Sequence, residues 1–203
     1  MSKLQGANLV GGNPANGRIE LDYYATNPEA VKMLLNRHQF RGKDILEPCV
    51  GAGHIAKELN NRFREDITAI DIVDRGYPGT IVADFLNWEP DKTYDTIITN
   101  PPYSLATEFI EKCIECLTDS NHVSLTGQLA MFLKINFLEG KKREKLFNKY
   151  PPKYLYVFRK RMPIFTNGIE FDPKTGKPWK TTFCNAWFVW EKGFHGEPTI
   201  RWL

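Results

Sequence analysis

The sequence has few cysteines, few histidines and no long apolar run, and each shortage excludes a class of protein. Four cysteines (Cys49, Cys113, Cys116, Cys184) in 203 residues are too sparse and scattered for a disulfide scaffold and fit a reducing compartment. Four unclustered histidines and a single Cys113-x-x-Cys116 pair do not supply the four converging ligands of a structural zinc site, so no metal is expected. Those two cysteines share a helix-period run with Phe109, Ile110, Ile114 and Leu117 and read as small core residues. No stretch approaches the roughly 18 apolar residues of a spanning helix. The start Met1-Ser2-Lys3-Leu4-Gln5-Gly6 has no apolar secretory segment. The reading is a cytoplasmic protein without membrane association. Internal repeats and low-complexity tracts are also missing.

What is present is a globular composition, 42% apolar and 25% charged, enough to bury one core. Residues 1–21 are rich in Gly and Asn and read as a flexible arm; residues 22–203 read as a single domain. Strand patterns at 44–47, 67–71, 80–83, 94–99, 129–133, 154–158 and 185–190 alternate through most of the chain with helical patterns at 29–37, 55–63, 105–117 and 137–148. Such alternation predicts an α/β fold, an open, mostly parallel seven-stranded sheet of Rossmann-like type with helices on both faces. Between the last two strands, residues 161–182 hold Pro163, Asn167, Gly168, Pro173, Gly176 and Pro178, an irregular insertion.

The net charge of +3 conceals an asymmetry. Residues 1–100 carry 11 basic and 14 acidic side chains, residues 101–203 carry 16 and 10. Most of the excess lies in 141–161, where Lys141, Lys142, Arg143, Lys145, Lys149, Lys153, Arg159, Lys160 and Arg161 face only Glu144. In the insertion, Phe165, Phe171 and Trp179 are interleaved with Lys174 and Lys177. Basic residues with aromatics among them suit phosphate contact and base stacking; a solvated helix face, and aromatics packed back onto the domain, account for the same residues equally well.

Two constellations sit at strand ends, where open α/β sheets bind their ligands. Gly51-Ala52-Gly53-His54-Ile55-Ala56 matches G-x-G-x-x-G/A between a strand and a helix, with Asp71 at the end of the next strand. Glycines there permit close backbone approach, and the carboxylate accepts from a ribose diol. The pattern serves a nicotinamide cofactor and S-adenosylmethionine equally. The second constellation, Asn100-Pro101-Pro102-Tyr103, follows the fourth strand. Proline has no N–H, so the segment offers the Asn100 side-chain oxygen and the Pro101 carbonyl as acceptors beside an aromatic ring. Two acceptors and a ring face describe a site for a planar group bearing an NH2.

In these motifs the chain resembles the S-adenosylmethionine-dependent amino-methyltransferases, most closely the DNA N6-adenine type, in small phage-like forms. The resemblance runs over residues 22–192 in the family's order. It implies a class I methyltransferase fold with S-adenosylmethionine as cofactor. By resemblance, Tyr24 and Thr26 of Tyr24-Ala25-Thr26-Asn27-Pro28 hold the methionine carboxylate, with Asn27 intervening where some members have Thr-Pro directly. Glu47, Pro48, Gly51 and Gly53 form the cofactor loop, Asp71 and Ile72 the ribose and its surroundings, and Asp84 and Phe85 the adenine contact. Asn100, Pro101, Pro102 and Tyr103 form the catalytic motif, with Asn100 also beside the cofactor. Residues 133–147 and 154–165 also look like the later part of such members.

The mechanism implied is a single displacement. Asn100 Oδ1 and the Pro101 carbonyl each accept one N–H of the target amine, and Tyr103 stacks on a base flipped out of the duplex. Lys141, Lys142, Arg143, Phe165, Lys174, Lys177 and Trp179 are the candidate substrate contacts, and nucleic acid, DNA first, the expected partner. Only the 161–182 insertion and a short tail stand where sequence-specific members carry a recognition domain, which leaves room for a homodimer or a partner subunit. RNA bases and protein glutamine side chains are the alternative substrates that share the motifs. A silent cofactor-binding subunit that presents nucleic acid is the alternative of another kind, and the intact tetrapeptide speaks against it.

Overall fold

Ile45–Glu47 (β2) is buried at all three positions, as befits a strand in the middle of a parallel sheet covered on both faces. The structure, a computed structural model, describes residues 23–119, 126–179, 181 and 183–203; the expected arm at 1–21 lies outside the described residues. Tyr24–Ala25 forms β1 and Pro28–Arg37 α1; His54–Phe63 (α2) and Ile67–Asp71 (β3) follow β2. Then come Ile81–Val82 (β4), Thr96–Thr99 (β5), Ala106–Cys116 (α3), Gln128–Lys134 (β6), Glu144–Lys149 (α4), Tyr154–Val157 (β7), Phe165–Thr166 (β8), Asn185–Glu191 (β9) and Thr199–Trp202 (β10).

The main sheet has the order β10-β7-β9-β6-β5-β2-β3-β4. Every neighbouring pair is parallel except those of β9, which runs antiparallel to both β6 and β7. From β2 the chain first winds outward through β3 and β4, then crosses to β5 and β6 on the other side. The reversal opens a crevice at the carboxyl ends of β2 and β5.

Alternation along the strands divides the core. Leu129, Met131 and Leu133 of β6 join Phe109, Ile110 and Cys113 of α3 on one face. Ala130 and Phe132 meet Val31, Leu34 and Leu59 of α1 and α2 on the other. The helix α1 starts where the sequence specifies it: the Asn27 side chain accepts from Glu29 N at 2.9 Å, and Pro28 occupies the first turn.

All seven expected strands are present, and three further ones were not anticipated. β10 adds an eighth strand beside β7; its Ile200 and Trp202 are more than half exposed, so neither burial nor alternation marks it. β1 and β8 form a separate antiparallel ribbon, Tyr24 opposite Thr166 and Ala25 opposite Phe165. The insertion therefore contains a strand. The helix expected at 137–148 is broken into 3-10 turns at Ile135–Leu138 and Lys141–Arg143 before the six-residue α4. Gly140, at φ 103°, interrupts it with a backbone conformation that no helix contains.

Candidate active site

Two loops meet at the crevice. After β2, Gly51 (φ 53°) and Gly53 (φ 79°) turn the chain into α2. Both are buried, and the space beside them belongs to tyrosines. A Cβ on Gly51 would lie 2.4 Å from the Tyr23 ring and one on Gly53 2.1 Å from that of Tyr77. Gly51 N donates to Asp71 Oδ2 at 2.8 Å and Val73 N to Oδ1 at 3.1 Å, so the loop after β2 and the end of β3 are fastened through one carboxylate. Ile72, the next residue, leaves 53% of its surface open, an apolar face beside the carboxylate.

The groups of this crevice fit a zwitterionic nucleoside cofactor. Glu47 is 1% exposed and Thr26 2%, yet Glu47 Oε2 and Thr26 Oγ1 have no hydrogen-bond partner. Burial pushes the Glu47 carboxyl well above the usual carboxylate range and the Asp71 charge adds to this, with the Ala56 N–H acting against them. An unpaired buried carboxyl is costly; an α-ammonium would satisfy it, and a carboxylate would accept from Thr26. S-Adenosylmethionine offers both, with a ribose diol for Asp71. Pro48 is buried in the same loop. Asp84 caps the turn Phe85–Asn87 by accepting from Leu86 N at 3.1 Å. The Phe85 ring is a core residue, 5.4 Å from that of Phe109.

At the end of β5, Asn100 Nδ2 donates to the Tyr24 carbonyl at 3.0 Å. A carbonyl only accepts, so this bond fixes the amide with its NH2 toward β1 and Oδ1 on the other side. Pro101 is buried, Pro102 and Tyr103 half-buried. The Tyr103 hydroxyl is enclosed without a partner, and burial drives its pKa up. Lys134 Nζ lies 5.0 Å from the Tyr103 ring centroid and 3.8 Å from that of Phe183.

The candidate substrate residues divide. Lys141, Lys142, Lys174 and Lys177 are exposed, and Arg143 is half-buried, its guanidinium 4.5 Å over the Phe137 ring. Trp179 Nε1 donates to the Ile169 carbonyl at 2.6 Å, within the insertion itself. Phe165 is a correction to the expected stacking loop: it is 7% exposed and packs 6.0 Å from the His54 ring beside the glycine loop, because β8 pairs with β1.

Three residues at this edge escaped the sequence reading. Tyr23 Oη accepts from Ala52 N at 2.9 Å and lies 3.2 Å from His54 Nδ1, with Arg75 stacked 4.5 Å from its ring centroid. Lys134 ends the apolar run 129–133, the one signal that marked it. Asn185 stands opposite Lys134 in the β6–β9 register, and only the structure reveals that.

No protein-family model matches the chain. Among curated proteins it is similar to the Type II methyltransferase M.CvrRI of Paramecium bursaria Chlorella virus XZ-6E, 24% identical over an alignment of 186 residues. That match takes in 68% of this chain and 48% of the relative, so the chain spans about half the length of the curated relative. Among solved structures, the methyltransferase subunit of a type I restriction-modification system from Streptococcus thermophilus superposes with a TM-score of 0.62 at 13% identity, covering 89% of this chain and 47% of that one. A SAM-dependent O-methyltransferase from Thermotoga maritima gives 0.54 at 16% identity, covering 84% and 66%. The fold is that of the class I methyltransferases. The viral relative accords with the resemblance to S-adenosylmethionine-dependent DNA methyltransferases that the motifs carry, and the likeness to the solved structures is one of fold. No helix among the described residues is long and apolar enough to cross a membrane.

Proposed function

We propose that the chain is an S-adenosylmethionine-dependent methyltransferase acting on an exocyclic amine, with N6 of adenine in DNA as its target. The observation that carries this reading is the bond from Asn100 Nδ2 to the Tyr24 carbonyl, which leaves Oδ1 as an acceptor at the end of β5. The Type II methyltransferase relative, the restriction-modification neighbour and the basic stretch 141–161 favour nucleic acid as the substrate.

When bound, the cofactor supplies an electrophilic methyl group on a sulfonium. Glu47 would hold the ammonium, Thr26 the carboxylate and Asp71 the ribose hydroxyls, with the open face of Ile72 toward the base. An aromatic NH2 is a weak nucleophile because its lone pair is delocalised into the ring. Asn100 Oδ1 and the Pro101 carbonyl each accept one of its hydrogens, which localises the lone pair and stabilises the positive charge that grows on nitrogen. Tyr103 presents a ring face for the base. Orientation of the two reactants supplies much of the remaining acceleration.

Purified protein incubated with methyl-labelled S-adenosylmethionine and separate DNA, RNA and protein pools tests this directly. Label recovered as N6-methyladenine in DNA is the expected product. Label confined to cytosine, to RNA or to glutamine would replace the substrate assignment, and no transfer to any pool would remove the activity.

A further inference from the structure

At the carboxyl end of β6, one strand from Asn100, Lys134 is half-buried, and among the described residues no carboxylate pairs with it. Its ammonium meets the rings of Phe183 at 3.8 Å and Tyr103 at 5.0 Å, and desolvation lowers its pKa. Burying an ammonium without a counter-charge is unfavourable, and rings offset only part of the loss. Beside it opens a cavity of about 120 Å³ lined by Tyr103, Lys134, Asn136, Phe137 and Arg143. Arg143 brings a second cation to this wall. Directly across the β6–β9 register stands Asn185, 4% exposed, whose Nδ2 and Oδ1 are both buried without partners. Cross-strand partners project from the sheet on the same face, which sets this unpaired amide beside the stem of Lys134 but outside the cavity lining.

We propose that Lys134 is a nucleotide-binding residue and that this cavity receives a phosphodiester group of the substrate next to the base stacked on Tyr103. The inference rests on the nucleic-acid reading above and deepens it. A phosphate supplies what the pocket lacks: a full negative charge for Lys134 and Arg143. The contact lies on the catalytic edge itself, separate from the exposed lysines at 141, 142, 174 and 177, so it would set the position of the target nucleotide as well as contribute affinity.

Binding of fluorescein-labelled single-stranded and duplex DNA of mixed sequence, measured by anisotropy across a salt series, tests the assignment. Each phosphate contact contributes about 0.9 to the slope of log K against log salt for duplex and about 0.7 for single strands. Lys134→Gln should weaken binding about tenfold at low salt and lower the slope by about one contact, and Lys134→Arg should restore both. Titration with S-adenosylmethionine gives wild-type affinity in a folded Lys134→Gln protein. Weaker binding with an unchanged slope would make Lys134 a packing residue and overturn the inference. An unchanged affinity would do the same. Inorganic phosphate whose binding is lost in Lys134→Gln, with nucleic-acid slopes unaffected, would assign the pocket to a free anion and also overturn it. A wild-type protein that binds neither DNA nor RNA would remove the nucleic-acid reading itself, which is a different result from a wild-type protein that binds while the variant matches it.

Discussion

The Asn100 amide is oriented by main chain: its Nδ2 donates to the Tyr24 carbonyl at 3.0 Å, from a strand that lies outside the main sheet. Asn100→Ala should leave cofactor affinity nearly intact and cut the methyl-transfer rate at least about a hundredfold, as for loss of a preorganised transition-state contact. Asn100→Asp keeps the acceptor and loses the donor to Tyr24, and should also be strongly impaired because a carboxylate oxygen then faces the Tyr24 carbonyl oxygen. Single-turnover rates check both; an active Asn100→Ala protein would sink the mechanism.

If Glu47 holds the ammonium as proposed, cofactor binding should depend on protons. With its pKa raised by burial and by Asp71, the carboxyl is held neutral in the free protein to higher pH than an ordinary glutamate. An ammonium placed beside it favours the carboxylate, so binding should release a proton and tighten as pH rises toward that raised pKa. The stability sign is the reverse. A raised folded-state pKa contributes stability below the ordinary glutamate range and loses it as pH rises through the folded value. Glu47→Gln should therefore gain stability relative to wild type with rising pH while binding the cofactor less well. Calorimetry in two buffers of different ionisation heat reads the proton directly, and a wild-type enthalpy independent of buffer would refute the linkage.

On the proposed reading the Tyr103 ring is needed and its hydroxyl is not. The hydroxyl is buried without a partner, so Tyr103→Phe should retain activity and gain roughly 1 kcal/mol of stability, the scale of an unsatisfied polar group. Tyr103→Ala removes the stacking surface and should weaken productive base binding. Thermal melts and steady-state assays separate the two effects. Loss of activity in Tyr103→Phe would assign the hydroxyl a chemical role.

His38 should contribute an acid limit to the stability of the fold. Its Nδ1 lies 2.9 Å from Tyr156 Oη, which accepts from Arg201 at 3.0 Å. Burial, and then the Arg201 charge, lower its pKa from 6.5 to about 4. The folded state resists a proton that the unfolded chain takes, so stability is held above about pH 6.5 and falls as pH drops toward 4. The loss amounts to about 3 kcal/mol at the lower end. Urea midpoints at pH 7 and pH 4.5 should fall more for wild type than for His38→Gln. Equal falls would show that another group carries the acid sensitivity.

The sheet was legible because most of its strands are apolar runs bounded by turn residues, as at 96–99 before Asn100-Pro101-Pro102. The placement of Glu47, Asp71 and Asn100 at the crevice was legible too, since strand ends in this architecture face it. What escaped has a physical reason in each case. β10 exposes Ile200 and Trp202 and carries no buried pattern. The run 137–148 has helical periodicity, and Gly140 breaks it at φ 103°. Phe165 looked like a loop aromatic because its burial depends on pairing with β1, far away in sequence. Asn185 acquires meaning only from its register partner, Lys134.

The β1–β8 ribbon couples two tasks that a modular enzyme would keep apart. Tyr24 offers its carbonyl to Asn100 and stands opposite Thr166 in the insertion, while Asn167 N donates to the Tyr23 carbonyl at 2.7 Å and Phe165 rests on His54. The insertion is therefore braced against the Asn100 amide and the glycine loop. On the proposed reading, an exchange of the insertion would alter the hold on Asn100 at the same time, and a chain that regained it would do so through Tyr23, Tyr24 and His54.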